Sequence, residues 1–163
     1  MATNNALNKA SAPFTVTGNV LAGGLSFDAG TTVMATYEYN TFTPTVTFNG
    51  GNTGITYSAQ TGTYWRIGKV VHFNITITLT NKGSSTGVLR VESLPYTPAV
   101  ASYCSALLGY VTVTADEIQA EVSTSNYILF EANTANNADI FYVADTHCAN
   151  GTKIRCTGSY FVA

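Results

Sequence analysis

The chain has 163 residues, of which 45% are apolar and only 10% are charged, and its formal net charge is −2. This length predicts one domain with a real core, and the apolar fraction argues against an intrinsically disordered chain. The seven basic residues are scattered, and no run approaches the ~20 apolar residues of a transmembrane helix. We therefore expect neither nucleic-acid binding nor membrane insertion.

Residues 1–41 are predicted to form an extended N-terminal arm that attaches the protein to a larger body or packs against neighbouring subunits. Residues 1–12 are small and polar, and residues 13–40 carry short apolar patches separated by glycines, which favours short strands over a helix. The first residues contain no apolar segment of the kind that a secretory signal needs, so we expect no signal peptide.

From residue 42 onward the sequence predicts closely spaced strands. Phe42–Phe48 alternates in polarity, and its Pro44 favours an edge position because proline cannot donate a hydrogen bond to a neighbouring strand. Two further strands, Ile55–Ser58 and Thr63–Ile67, follow a turn at residues 49–52.

The most regular stretch is Val71–Leu79, in which apolar and polar residues alternate without a break. A period of two places successive side chains on opposite faces, so this stretch predicts a half-buried central strand. Gly68 predicts the turn before it, and a polar loop separates it from a strand at Val88–Glu92, giving an antiparallel meander. The residues expected to face the core are Val71, Phe73, Ile75, Ile77 and Leu79, and those expected to face outward are His72, Asn74, Thr76 and Thr78.

The second half of the chain predicts further short strands and no helix of any length. They are expected at Tyr103–Thr114, with a break at Gly109, and at Ile118–Val122, Tyr127–Glu131, Ile140–Val143 and Lys153–Val162. Roughly ten short strands with closely spaced turns are typical of an all-β, antiparallel, jelly-roll-like sandwich, which we expect over residues 42–163.

Motifs around the central strand resemble a module found at the C-terminal ends of bacteriophage tail-fibre and related virion proteins. In that family a Gly-x-Tyr-x-Arg-Ile-Gly element precedes an alternating strand, and a glycine-rich loop and Leu-Pro-Tyr follow. The resemblance covers residues 42–163, is strongest over 42–98, and implies structural roles for the matching residues and assembly as a homotrimer. The matching residues are Gly62, Tyr64, Arg66, Ile67, Gly68, Gly83, Gly87, Leu94, Pro95 and Tyr96.

The resemblance implies a structural protein on the exterior of a phage tail or capsid, most simply a tail-fibre tip or receptor-binding module. Such a module acts by non-covalent, multivalent attachment. Its expected partners are further copies of itself, other virion proteins and a host cell-surface glycan or protein. Two alternatives remain open: a capsid decoration or other structural virion protein without a receptor role, and a carbohydrate-active enzyme.

No residue pattern predicts a catalytic, metal or cofactor site. A nucleophile needs a neighbouring base, and the histidines are His72, on the polar face of the central strand, and His147, in a loop. The Asp-Thr-His-Cys run at 145–148 lacks the spacing of structural zinc ligands. The carboxylates are scattered, without the pair that a glycosidase uses, so we expect no enzymatic activity.

Ligand recognition is expected in exposed loops, because loops carry binding residues more often than the scaffold does. The candidate ligand-contacting residues are Asn133, Asn136 and Asn137 in one loop and Asp145 and His147 in another. Trp65 could also stack on a sugar, although a position in the core or at a subunit seam is the simpler interpretation.

Three cysteines, Cys104, Cys148 and Cys156, leave at least one thiol free if the chain pairs only with itself. Cys148 and Cys156 flank Asn150 and Gly151, a dipeptide that favours hairpin turns, so the two could face each other and form a disulfide. The alternative is that they are buried thiols that act as small hydrophobic side chains.

Overall fold

The computed structural model describes residues 25–26, 33–34, 36–115, 117–133 and 140–163. In this part of the chain the protein is all-β, with one short 3₁₀ helix, Asp145–His147, and no α-helix. None of the described residues belongs to a helix long and apolar enough to cross a membrane. The strands are β1 (Leu25–Ser26), β2 (Val33–Met34), β3 (Tyr37–Phe42), β4 (Thr45–Phe48), β5 (Thr56–Ile67), β6 (Val70–Asn81), β7 (Leu89–Glu92), β8 (Ser102–Val111), β9 (Glu117–Ser123), β10 (Tyr127–Asn133), β11 (Ile140–Tyr142) and β12 (Cys148–Phe161).

Strands β3 to β12 form one curled antiparallel sheet with the shape of half a barrel. Neighbouring strands follow the order β3-β5-β6-β12-β8-β9-β10-β7-β4, and β11 pairs with β10. The strand β8 divides its length between the two halves of the sheet. Ser102–Cys104 pair with β9, whereas Ser105–Gly109 pair with β12. The prediction of an all-β, antiparallel fold is therefore confirmed.

The strand β6 lies between β5 and β12 and has the two faces that the alternation predicted. Its side chains Val71, Phe73, Ile75 and Ile77 are fully buried, and Leu79 is 1% exposed. Burying each such side chain contributes about 1.5–3 kcal/mol to stability. The intervening polar side chains face outward, so the predicted core face of this strand is confirmed.

The core lies on the inner side of the curl, and both halves of the sheet contribute to it. The curl brings the last strand of the order, β4, back toward β5, where the Val46 amide donates a hydrogen bond to the Tyr57 hydroxyl at 3.0 Å. Gln60 Nε2 donates in the same way to the Pro44 carbonyl at 3.0 Å. Besides the β6 residues, buried core side chains include Val46, Phe48, Leu89, Val91, Val122, Ile128, Phe130, Ile154 and Tyr160.

The structure corrects three predicted strand arrangements. Phe42–Phe48 is not one strand, because Thr43 and Pro44 interrupt it, and the resulting strands β3 and β4 lie at opposite ends of the strand order. Ile55–Ser58 and Thr63–Ile67 are instead joined in one strand, β5, whose register shifts near its start. The strand β7 does not extend a meander with β6, because the loop between them carries the chain to the other half, where β7 pairs with β4 and β10.

The chain divides into two compact units, Met1–Ala35 and Thr36–Ala163. In the first unit, β1 and β2 pair antiparallel, with Leu25 opposite Met34. In the second unit the sheet begins with β3. All of β3 lies in this second unit, whereas the sequence placed residues 37–41 in the N-terminal arm and began the β-domain at Phe42.

The predicted disulfide between Cys148 and Cys156 is wrong, because both residues are free thiols on the same strand, β12. The chain does not turn back at Asn150 and Gly151; it continues through an irregularity where the register between β12 and β8 shifts. Both thiols are buried, and burial raises the pKa of Cys148 to about 11. They act as small hydrophobic side chains, the alternative that the sequence left open.

The ten residues from Gly62 to Tyr96 that match the phage module are here called the phage-like motif. Two of its glycines lie where the loop after β6 passes close to the loop after β4. Gly83 has φ +73°, and a Cβ at this position would collide with the Thr53 carbonyl oxygen. Gly87 has φ +115°, and a Cβ there would collide with the Asn49 side chain. Glycine is required at both positions because it tolerates positive φ and leaves room for the close approach.

We expect Gly83→Ala to lower the free energy of unfolding by about 3 kcal/mol or more, since it adds a backbone collision to the cost of a left-handed conformation. The matched control is Gly50→Ala, because Gly50 has φ +85° but no atom within 4 Å of an added Cβ. This control should cost only about 1–2 kcal/mol. Urea unfolding followed by circular dichroism measures both losses, and equal losses would contradict the collision.

Candidate functional site

Asp145, a candidate ligand-contacting residue from the sequence, makes its contacts inside the protein. Its Oδ1 accepts a hydrogen bond from the Gly87 amide at 2.7 Å, and its own amide donates to the Gly87 carbonyl at 2.9 Å. Lys82 Nζ lies 3.5 Å from Oδ2. The Gly87 hydrogen bond, with a smaller contribution from Lys82, holds the pKa of Asp145 below its ordinary value. Asp145 therefore ties the loop after β6 to the 3₁₀ helix.

Of the other loop candidates, His147 and Asn133 lie in the described part of the chain. His147 Nδ1 accepts a hydrogen bond from the Ala144 amide at 3.0 Å, and its ring lies 5.6 Å from the Phe141 ring. These contacts orient the imidazole within its own turn. Asn133 is half-buried at the end of β10, opposite Ile140. Asn136 and Asn137, the remaining candidates in that loop, lie outside the described residues.

Several residues of the phage-like motif meet where the loop after β7 packs against β5. The Arg66 guanidinium lies 4.6 Å from the centroid of the Tyr96 ring, and the Tyr64 ring lies 5.9 Å from it in an edge-on arrangement. The Tyr96 hydroxyl donates a hydrogen bond to the Glu38 carboxylate. Burial, which is the main cause, and the contact with Tyr96 raise the pKa of Tyr64. The cluster joins β3, β5 and the loop.

The other motif residues complete the same region. Leu94 is buried next to Pro95, and Gly62 lies against the Phe42 ring, which leaves no room for a Cβ. Gly68, with φ +57°, forms the turn between β5 and β6 and accepts a hydrogen bond from Arg66 Nε at 2.8 Å. Ile67 differs from these residues because its side chain faces outward and is 41% exposed.

The outer face of β3, β5, β6, β12 and β8 exposes aromatic and apolar side chains. Along each strand these side chains alternate with the buried core residues and therefore point to the other face. The register between the strands places them all on the same side of the sheet. Large apolar side chains that remain exposed as a group often mark interaction sites. The exposed ones on this face are Tyr37, Tyr39, Trp65, Ile67, Tyr103, Leu107 and Phe161.

One end of this face carries an apolar row that crosses four strands. Tyr37 lies opposite Ile67, Ile67 opposite Val70, and Val70 opposite Phe161. Residues directly opposite each other have Cβ atoms about 4.5–5.5 Å apart, so the four side chains form a continuous strip. Tyr37 is 69% exposed and Phe161 is 56% exposed. Among the described residues, none covers these two ends of the strip.

The next row along the strands is here called the aromatic row. It consists of the rings of Tyr39, Trp65 and His72 and ends at Ser159, which lies opposite His72. Trp65 stacks on His72, with ring centroids 5.2 Å apart and ring planes inclined by 17°. Tyr39 lies opposite Trp65 on its other side. Trp65 is still 38% exposed, so it is neither a core residue nor fully covered. The core position that the sequence offered for Trp65 is therefore wrong, whereas its alternative, a subunit seam, stays a prediction.

Beyond the aromatic row lies a shallow depression of about 350 Å³, here called the arginine depression. It spans β6, β12 and β8, and Arg155 lies in its lining between hydroxyl and amide side chains. Its outward-facing lining residues are Asn74, Thr76, Ser105, Leu107, Arg155 and Thr157.

The charge on this face is positive. The charged side chains that β3, β5, β6, β12 and β8 turn outward are Lys153 and Arg155, and none of the outward-facing residues on these strands is a carboxylate. Lys153 Nζ lies over the Tyr110 ring at 5.1 Å. Arg155 forms no ion pair with any described residue, so its guanidinium remains available.

Two carboxylates meet on the other half of the sheet, where the sequence showed no pair. Glu117 and Glu131 line a small pocket of about 60 Å³ between β9 and β10. Gln119 Nε2 donates a hydrogen bond to Glu117 Oε1 at 3.2 Å. Ligand pockets commonly have volumes of about 300–1,000 Å³, so this pocket is too small to enclose a sugar ring.

The described residues contain no cluster of three or more histidine, cysteine, aspartate or glutamate side chains that could hold a metal ion. Comparison of the chain with protein-family models, curated proteins and solved structures finds no match.

This face is not evident from the sequence, because the polarity pattern points to loops as the sites of ligand contact and does not show which strands are neighbours. The alternation of β6 indicated which residues point outward, but the partners of β6 were unknown. Knowing that Trp65 lies opposite His72, and Arg155 opposite Thr76, requires the strand pairing. Pairing of β6 with the distant strand β12 is a long-range feature that local periodicity cannot supply.

We expect Asp145→Ala to lower the free energy of unfolding by about 1–3 kcal/mol at neutral pH, because the Gly87 amide loses its acceptor. Asp145→Asn keeps an acceptor oxygen and should cost less. The pKa of Asp145 is lower in the folded than in the unfolded chain, so its stabilisation is present above the unfolded-state pKa of about 4. It is lost as the pH falls through the folded-state pKa.

The stability difference between wild type and Asp145→Asn should consequently narrow when urea unfolding is repeated at decreasing pH. Glu121→Gln serves as the control, since the Glu121 carboxylate makes no hydrogen bond or ion pair with a described residue. A wild-type-to-Asp145→Asn difference that stays constant down to about pH 2 would show that the Asp145 charge contributes nothing.

Proposed function

We propose that this protein is a structural component of a bacteriophage virion, a tail-fibre tip or receptor-binding module that attaches non-covalently to a host surface. The observation that carries this proposal is the outer face of the sheet, where exposed aromatic side chains adjoin hydroxyl groups and a free arginine. The phage-like motif running from Gly62 to Tyr96 supports the virion assignment. The protein acts by binding, without catalysis, at the exterior of the particle.

A rigid sheet suits this role because its side chains are held at fixed spacings. Tyr39 and Trp65 each have only two side-chain torsions to immobilise, so they provide contact area at a low entropic cost. Trp65 is further restrained by its stack on His72. A ligand would therefore meet a surface that is already arranged, which reduces the ordering cost of binding.

We further propose that the two halves of the sheet pack as the layers of a jelly-roll-like sandwich and that the protein assembles as a homotrimer. The fully buried core residues on both halves, such as Phe73 and Phe130, support the layered arrangement. The apolar row and the edge of β3, which pairs with no other described strand, support self-assembly, because copies that bury them remove exposed apolar area and a strand edge. Residues 1–41 link the domain to other virion proteins.

Assembly would increase the strength of attachment. When several weak sites are linked in one particle, each further binding event becomes intramolecular, and the overall affinity rises by roughly 10²–10⁴. The target is a host cell-surface glycan or protein. A capsid decoration without a receptor role shares the same fold and self-assembly, and the outer face favours attachment over it because decoration requires no open aromatic surface.

Attachment is tested with the fluorescently labelled full chain on a panel of bacterial cells and on a glycan array. We expect binding that falls at least tenfold when Tyr39 and Trp65 are both changed to alanine. Tyr142→Ala is the matched control, because Tyr142 is 49% exposed but lies on β11 in the other half of the sheet. Incorporation into particles without binding to any cell or glycan would favour the capsid decoration instead.

The homotrimer is tested by light scattering during size-exclusion chromatography. We expect the wild type to have three times the chain mass of 17.2 kDa. The double variant Ile67→Thr, Phe161→Thr should dissociate, since it removes apolar contacts from the row, while its own fold stays intact because both side chains are exposed. Leu107→Thr, on the same face but outside the row, is the control. A monomeric wild type would contradict the trimer.

A further inference from the structure

We propose that the aromatic row and the arginine depression together bind an acidic saccharide. One sugar ring stacks on Trp65, and an anionic group on another ring of the same chain pairs with Arg155. This inference rests on the proposed function, because it names the ligand class of the surface to which that proposal assigns attachment.

The aromatic row provides the stacking surface. His72 covers part of the indole of Trp65 and holds it at a 17° inclination to the imidazole. Tyr39, which lies opposite Trp65, is 63% exposed and extends the aromatic surface across β3. The face of a sugar ring presents C–H groups, which pack on an aromatic ring while the hydroxyl groups at the ring edge stay free to form hydrogen bonds.

Between the aromatic row and Arg155 lies a row of neutral polar side chains. Thr63 lies opposite Asn74, and Asn74 lies opposite Thr157, across three adjacent strands. The Thr157 hydroxyl donates to the Phe73 carbonyl at 3.2 Å, so its oxygen remains an acceptor. Hydroxyl and amide groups both donate and accept hydrogen bonds. They match the hydroxyl groups of a saccharide better than they match an apolar protein surface.

Arg155 determines the sign of the ligand's charge. It faces outward and forms no ion pair with a described residue, and none of the outward-facing residues on β3, β5, β6, β12 and β8 is a carboxylate. Outward carboxylates begin on the next strand, β9, where Glu121 lies opposite Tyr103. An arginine guanidinium binds a carboxylate or a phosphate through two parallel hydrogen bonds. The depression around it has a volume of about 350 Å³, within the range of small-ligand sites.

The spacing of the two parts indicates an oligosaccharide. Trp65 lies opposite His72 and Arg155 lies opposite Thr76, so the two sites are separated by four residues along β6. At about 3.4 Å per residue this is about 14 Å along the strand, more than one sugar ring spans. A second copy of this chain fits the aromatic row and the arginine depression less well, because it would have to bring a carboxylate to Arg155 and would bury the hydroxyl groups beside it.

The test is isothermal titration of the full chain with three probes: trigalacturonic acid, a phosphate monoester of maltotriose, and neutral maltotriose itself. We expect the acidic probes to bind. The affinities of the carboxylate probe and of the phosphate probe show which of the two anionic groups Arg155 prefers. Arg155→Gln should raise the Kd of the acidic probe at least tenfold, and Arg155→Lys should raise it less. Trp65→Ala should abolish binding, and Lys69→Gln, a cation at the turn after β5, should leave it unchanged.

Light scattering and circular dichroism of every variant accompany the titrations. Unchanged affinity in Arg155→Gln, or binding of maltotriose as tight as that of the acidic probes, overturns the anionic part of the inference. Cell binding without binding of any acidic probe overturns the saccharide class while the proposed function stands. If the protein binds neither cells nor any acidic probe, the proposed function and this inference are both overturned. A change of oligomer mass in Arg155→Gln or Trp65→Ala shows that a second copy occupies the aromatic row and the arginine depression, and it overturns the inference.

Discussion

The arrangement of the outer face depends on the register that β6 holds with β5 on one side and β12 on the other. The alternation in β6 determines which of its side chains are buried. Because directly paired residues lie on the same face of the sheet, the register also determines which side chains of β5 and β12 are buried. A slip of one residue between β6 and β12 would turn Arg155 inward and Ile154 outward. Burial of Ile154, which is fully enclosed, therefore also holds Arg155 on the surface.

The same constraint explains why the exposed side chains form rows. Ile67 and Val70 flank the turn between β5 and β6, so they are brought opposite each other by that turn, and Tyr37 and Phe161 extend the row on either side. Each row is a line of direct cross-strand neighbours. The face changes from apolar to aromatic to hydroxyl-rich as the rows advance along the strands, so contact between copies and contact with a ligand can occupy adjacent parts of one surface.

The sequence predicted the local features of the fold and missed the long-range ones. Unbroken alternation identified the core face of β6, because a period of two has only one structural interpretation there. It also identified Gly68 as a turn. It failed where a loop decides which strand comes next in the sheet: the loop after β6 leads β7 away to β4 and β10. The disulfide failed for a related reason, because Asn150 and Gly151 can form a bulge as well as a hairpin turn, and only pairing with β8 decides between them.

The low content of charged residues gives Arg155 its importance. In most domains roughly a quarter of residues are charged, and a surface arginine meets carboxylates from several neighbours. Here only 10% are charged, and the strands around Arg155 expose threonine, serine and asparagine instead. Neutral hydroxyl groups neither compensate a guanidinium nor compete with an incoming anion for it. A screening length of about 8 Å at physiological salt also confines its attraction to groups that reach the face itself. Under the proposed binding, a surface built mainly from neutral residues would in this way discriminate between acidic and neutral ligands with only two outward cations, Arg155 and Lys153, neither of which has an ion pair with a described residue. Stacking on Trp65 would supply the affinity that an ion pair alone cannot.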